Sequence, residues 1–157
     1  MNRANKPDNP GVIVFPPALY AGTLIVGLIL SFIFPNSFLP RIVALSLGFL
    51  LVICAAIIAV FSFRTMNRAH TPVNPSMPTT AIVSEGVFGI SRNPIYLSMT
   101  FLYTGIAVMF NALWALLLLL PLLIVVQNGI IKREESYLER KFGAEYLNYK
   151  ARVRRWL

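Results

Sequence analysis

The sequence predicts an all-α integral membrane protein: four transmembrane helices, a C-terminal helical hairpin and a cytosolic amphipathic helix. Three observations carry that prediction. Charged side chains make up 13% of the 157 residues, about half of what a soluble domain carries. They are also segregated, with none in residues 11–40, 42–63 or 93–131. A bilayer core about 30 Å thick takes about 20 apolar helical residues per crossing. The first two runs therefore hold one helix each, and the third, at about 1.5 Å per residue, holds two. The third observation is where the cations fall. With four crossings, Arg3, Lys6, Arg64, Arg68, Arg92 and every cation beyond residue 131 lie on one side, and only Arg41 lies on the other. That positive-inside bias puts both termini in the cytoplasm. The length fits one domain over residues 1–157.

The elements follow in order. Residues 1–15 form a polar, Pro-rich arm with an interfacial patch at Val12, Ile13, Val14 and Phe15. No small-residue cleavage site follows a short apolar core, so no cleavable signal peptide is expected. Pro16 and Pro17 open the first helix, near 17–34, because proline is tolerated in a first turn. Phe34, Pro35, Asn36 and Ser37 break it, and the second helix, near 41–63, starts at Arg41. Gly27 and Gly48 lie inside these helices, where small residues let helices approach closely in lipid. A cytosolic loop over 64–93 follows. Its prolines Pro72, Pro75 and Pro78 exclude a continuous helix. The apolar trio Ala81, Ile82 and Val83 is out of place in a disordered linker and is expected at the mouth of the bundle. Pro94 begins a third helix, near 94–110. Asn111 turns the chain into a tight antiparallel hairpin, Trp114 suits an interface, and Pro121 kinks the fourth helix, near 112–131. Beyond Ile131 lie cytosolic helices over 132–157. Leu138 and Phe142 are four apart, as are Glu135 and Glu139, so apolar and acidic stripes separate. Gly143 stops that helix, and Tyr146 and Tyr149 belong to a short final one.

Several function classes are excluded. A net charge of +8 invites a nucleic-acid reading. Its placement assigns it to anionic membrane lipids instead, with no nucleic-acid partner. There is no dinucleotide fingerprint or phosphate loop and no nucleophile elbow. One histidine (His70, a solvated loop residue) and one cysteine (Cys54, a packing residue) make no zinc set. Met66, Met77, Met99 and Met109 share no spacing and read as filler. What remains is a pair of polar motifs at one membrane face. Arg92, Asn93, Pro94, Ile95 and Tyr96 open a helix, and Lys132, Arg133, Glu134 and Glu135 end another. The free N–H groups of a helix start can hold a carboxylate, and Glu134 opposite them can receive hydroxyl or amino groups. The competing reading of the second motif is a solvated helix with local ion pairs, each worth about 0.2–0.5 kcal/mol.

The stretch Ser84-Glu85-Gly86-Val87-Phe88-Gly89-Ile90-Ser91-Arg92-Asn93-Pro94-Ile95-Tyr96 resembles a segment of bacterial relatives of isoprenylcysteine carboxyl methyltransferase. Glu134-Glu135, Leu138, Phe142-Gly143, Tyr146, Tyr149, Val153 and Arg155-Trp156 resemble the C-terminal signature of that family, and residues 71–78 its Pro-rich loop. The likeness covers about residues 64–157; the first two helices match only as generic spans. It implies a membrane enzyme that transfers a methyl group from S-adenosylmethionine to a lipophilic or prenylated acceptor. The implied cofactor contacts are Thr80, Ala81, Ile82, Val83, Phe88, Asn93, Pro94, Ile95, Tyr96 and Glu134. Eukaryotic members carry an arginine associated with substrate four residues before that glutamate. Here the position is Ile130, which leaves Arg92, Lys132 and Arg133 as the available cations, with Arg92, Arg133 and Glu135 as catalytic candidates. Two other readings stand beside this one. Membrane sterol reductases have a similar C-terminal motif and bind NADPH there, although they have many more helices. Four short helices and a basic tail also suffice for a non-catalytic membrane partner.

Overall fold

A phenylalanine and two prolines set the first boundary, and the eighteen-residue helix that begins there carries no charged residue. The computed structural model of the chain describes residues 8–11, 14–74 and 77–157. Val12, Ile13 and Pro75, named above, lie outside the described residues, as do Arg3 and Lys6. The described part contains helices and no strand. Helix α1 spans Pro16–Ile33, α2 Arg41–Arg68, α3 Pro94–Met109 and α4 Leu113–Val126. A π-helical turn, Gln127–Ile131, leads without a break into α5, Lys132–Phe142, and α6 follows at Ala144–Arg152. Three helical stretches are long and apolar enough to cross a membrane: α1, α2 and the continuous Leu113–Phe142. Helix α3 is apolar and shorter. Large apolar side chains such as Phe32 and Ile42 face outward, 88% and 81% exposed, as on helices whose outer surface meets lipid.

Helix α2 runs five residues past Phe63, where the sequence pattern ended it. The Ser62 and Thr65 hydroxyls donate to the carbonyls of Ile58 and Phe61 at 2.7 and 2.8 Å. These polar side chains are thus satisfied by the helix's own backbone. The onset of polarity marks the end of the apolar span, not of the helix.

Glycines fix the packing. A Cβ on Gly48 would lie 2.6 Å from the Gly105 carbonyl oxygen, and one on Gly27 would lie 2.5 Å from Ala115 Cα. The α2–α3 and α1–α4 crossings are therefore backbone-to-backbone contacts. They dominate the packing and modify the tight hairpin expected of α3 and α4. A short turn does join those two helices, and the Tyr103 hydroxyl donates to the Ala115 carbonyl at 2.8 Å, but each packs chiefly on another partner. The turn is pinned by Asn111, at φ +50°. Its carboxamide accepts from Leu39 N at 3.0 Å and donates to Leu39 O at 3.1 Å. Trp114 Nε1 donates to the Phe34 carbonyl at 3.2 Å, so both turns at this end are tied together.

At the other end, Pro121 lies inside α4, and a π-helical turn follows at Gln127–Ile131. There Ile130 and Ile131 are buried in the core with Tyr20, Tyr96, Tyr103, Leu122 and Val126. Helix α5 is the charged continuation beyond this apolar segment. Gly143, at φ +54°, closes it in a backbone state that favours glycine and lets α6 turn back.

Candidate functional site

The start of α3, the loop before it and α5 enclose a cavity of about 470 Å³, within the usual range for small-molecule sites. The tail after α6 positions its polar wall. Arg92 N donates to the Arg154 carbonyl at 2.9 Å. The Arg155 carbonyl accepts from Asn93 Nδ2 at 2.9 Å and Ser91 Oγ at 3.3 Å. The 91–93 segment is thereby clamped just before Pro94 starts α3.

Across the cavity, the Tyr96 hydroxyl donates to Glu134 Oε1 at 2.5 Å. Burial pushes the Glu134 carboxyl up to about 7; the Tyr96 hydrogen bond partly opposes this, and the charge of Glu135 adds to it. Glu135 is buried, 6% exposed. Burial disfavours its ionised form, but the bidentate bond from Arg155 (2.9 and 2.8 Å) and the nearby Arg92 outweigh that and hold it below the usual carboxylate range. The expected separation of apolar and acidic stripes in α5 therefore fails. Glu135 is the most enclosed acid of that helix, while Leu138 and Phe142 are half-buried, because two guanidinium groups come to meet it.

Arg92 lines the same wall. Its side chain is 9% exposed and its Nη2 lies 3.3 Å from Glu135 Oε1. Its Nε and Nη1 are buried without a hydrogen-bond partner. Burial pushes the Tyr146 phenol beside it up to about 12, with Glu135 reinforcing the shift and Arg92 opposing it. The Tyr149 hydroxyl donates to the Phe88 carbonyl at 2.7 Å and so holds the Gly86–Gly89 turn against α6.

Most of the residues singled out from sequence meet here. Ala81, Ile82, Val83, Phe88, Arg92, Asn93, Pro94, Ile95, Tyr96, Glu134 and Glu135 all line the cavity. Thr80 and Arg133 do not. The Thr80 hydroxyl donates to the His70 carbonyl at 2.9 Å, outside the cavity, and its neighbour Thr79 takes the lining place. Arg133 is exposed and donates to the Gly11 carbonyl at 3.0 Å. The Asn93 carboxamide is engaged with the tail. Ile130 is 1% exposed within the core, so its position offers no cation to the cavity.

Sequence reasoning missed several lining residues. Met66 and Met99, read as filler, line the cavity beside Phe63, and so do Phe15 and Pro17. Only the fold brings three helices together at that point. Thr71 is buried, lines the cavity and accepts from Ala81 N at 3.2 Å. Tyr137 was missed as well. Its hydroxyl accepts from Thr79 N at 3.3 Å and donates to Asp8 Oδ1 at 2.7 Å. Lys141 holds the same Asp8 carboxylate at 2.8 Å, so residues 8–11 lie over α5 beside the cavity.

A family model for phospholipid methyltransferases matches residues 43–145, a span that includes the loop, the 92–96 motif and Glu134–Glu135. An uncharacterized protein of Haemophilus influenzae is 57% identical over 35 residues, covering 22% of this chain and 56% of that protein. The chain thus spans about half the length of the curated relative it matches. No solved structure matches.

Proposed function

The chain belongs to the phospholipid methyltransferase family, and we propose that it transfers a methyl group from S-adenosylmethionine to a lipophilic acceptor at the cytosolic membrane face. The observation that carries this reading is the convergence of Tyr96 and Glu134, from motifs 38 residues apart, on one cavity that also holds Phe88 and Arg92. These groups fit the cofactor. The aromatic walls Phe88 and Tyr96 suit an adenine, and Glu134 suits ribose hydroxyls or an ammonium. The buried, unpartnered Arg92 N–H groups suit an anion.

When bound, the cofactor supplies an electrophilic methyl on a sulfonium, which becomes a neutral thioether as the carbon–sulfur bond breaks. The chain has mainly to align the partners and keep water out. Tyr96 orients Glu134, the tail clamp fixes the 91–93 segment, and the apolar side chains of residues 81–83 seal the loop side. Phe63, Met66, Met99 and Phe15 offer an apolar wall where an acceptor's hydrocarbon would lie. A lipophilic acceptor reaching it from the bilayer avoids passage through water.

Four crossings are part of the proposal. Helix α3, at about 24 Å by rise per residue, falls short of a typical core of about 30 Å. The contact of Asp8 with Lys141 supports its counting as a span. The segments before α1 and after α4 meet, so an even number of crossings separates them. The cation bias then places both termini, and the cavity, in the cytoplasm.

Thermal-shift measurements on the detergent-solubilised protein test this reading. A ligand that binds only the native state raises the apparent melting temperature by mass action. S-adenosylhomocysteine is expected to raise it and NADPH to leave it unchanged. The reverse pattern, or no shift with either, overturns the proposal.

A further inference from the structure

We propose that Arg92 is the receptor for the amino-acid carboxylate of the cofactor; this rests on the cofactor reading above. Three independent features of the site lead to it. The Arg92 guanidinium is more than nine-tenths buried, and its Nε and Nη1 have no hydrogen-bond partner. Buried donors left unmade are costly, and in folded proteins they generally find an acceptor. Arg92 also lines the cavity and is the one cation among its described lining residues. Finally, Arg92 is the less fully paired of the two arginines that share the carboxylate of Glu135. Arg155 is saturated by its two bonds to Glu135, at 2.9 and 2.8 Å, whereas Arg92 touches Glu135 through Nη2 alone, at 3.3 Å. Arg92 is therefore the guanidinium that Glu135 leaves less fully bonded.

A carboxylate matches these donors, since a guanidinium presents its N–H groups in a planar fork. Glu135 acts as a positioning residue. It holds the guanidinium through Nη2, while Nε and Nη1 stay buried without a partner. The other polar groups that face the cavity separate the ends of the ligand. Glu134 repels a carboxylate and attracts the ribose or ammonium end, so the adenosyl and amino-acid parts bind in one sense only.

The test compares three ligands by isothermal titration: S-adenosylhomocysteine, its neutral carboxamide, and 5′-methylthioadenosine, which lacks the amino-acid arm. On the wild-type protein the carboxamide is expected to bind about 10-fold or more weakly than the acid, the loss of a charge-assisted pair. In Arg92→Gln that difference collapses, while 5′-methylthioadenosine affinity stays within about 2-fold and reports that the site is intact. Arg92→Lys, a point charge without the fork, retains part of the discrimination. Equal wild-type binding of acid and carboxamide overturns the proposal without using any variant. That is the result expected if Arg92 held an anionic group of the acceptor instead. Equal weakening of all three ligands in Arg92→Gln also overturns it and leaves Arg92 a scaffold role. If neither S-adenosylhomocysteine nor 5′-methylthioadenosine binds the wild type, the cofactor reading itself has failed.

Discussion

Glu134 and Glu135 are neighbours in the chain with opposite surroundings. Glu135 is locked between two guanidinium groups, whereas Glu134 faces the cavity and accepts a hydrogen bond from the Tyr96 hydroxyl. Their substitutions should therefore differ. Glu135→Ala leaves Arg92 and Arg155 unpaired, and a broken buried pair costs about 3–5 kcal/mol, read as a large fall in thermal midpoint. Glu134→Gln is expected to lower stability little and to weaken S-adenosylhomocysteine binding. The pH response of Glu134 has two opposite signs. Its folded-state value, about 7, lies above its ordinary one. Its contribution to stability is thus complete in acid and lost as pH rises through about 7. Binding moves the other way, because the ionised carboxylate is the better acceptor, so affinity rises over the same interval. Titration from about pH 4.5, its ordinary value, to about pH 8 should show both trends in the wild type and neither in Glu134→Gln.

Among elements, the two helix crossings differ from the rest of the helical surface. Gly27 and Gly48 have backbone or side-chain atoms within 2.7 Å of where a Cβ would sit, while Gly22 has nothing within 4 Å. Gly27→Val and Gly48→Val are expected to cost about 1–3 kcal/mol each by overpacking. Gly22→Ala should be close to neutral in the same melts. The charge-free runs made these helices legible, and interior glycines marked their contacts. The end of α2 was not legible, because polarity reports where the apolar layer stops and a helix can continue beyond it. The Gln127–Ile131 turn left no sign in composition. It lies inside a charge-free run where a π turn and an α turn look alike. The wrong stripe in α5 has a similar cause. Spacing places Glu135 beside Glu139 on one face, but its partners Arg92 and Arg155 arrive from remote segments, and no local periodicity records them.

For the whole molecule, the claim is that an arm, a loop, two helix ends and a tail close one chamber at one membrane face. Sequence motifs located most of its wall because the 92–96 and 134–135 segments carry polar groups next to long apolar runs. The apolar wall from α1 and α2 was invisible for the converse reason, since Phe63 and Met66 look like any lipid-facing residue. Topology is open to direct measurement. In a Cys54→Ser background, single cysteines at positions 9 and 154 should react with an impermeant maleimide from the same side of sealed vesicles, and one at position 37 from the other. Labelling of positions 9 and 154 from opposite sides would remove the four-span arrangement and the chamber with it. The most direct measurement is an experimental structure of the protein with S-adenosylhomocysteine. The account predicts the nucleoside between Phe88 and Tyr96, its ribose or amino group on Glu134 and its carboxylate on Arg92. A nucleoside bound elsewhere, with the Tyr96–Glu134 pair undisturbed and the cavity filled by lipid alone, would contradict it.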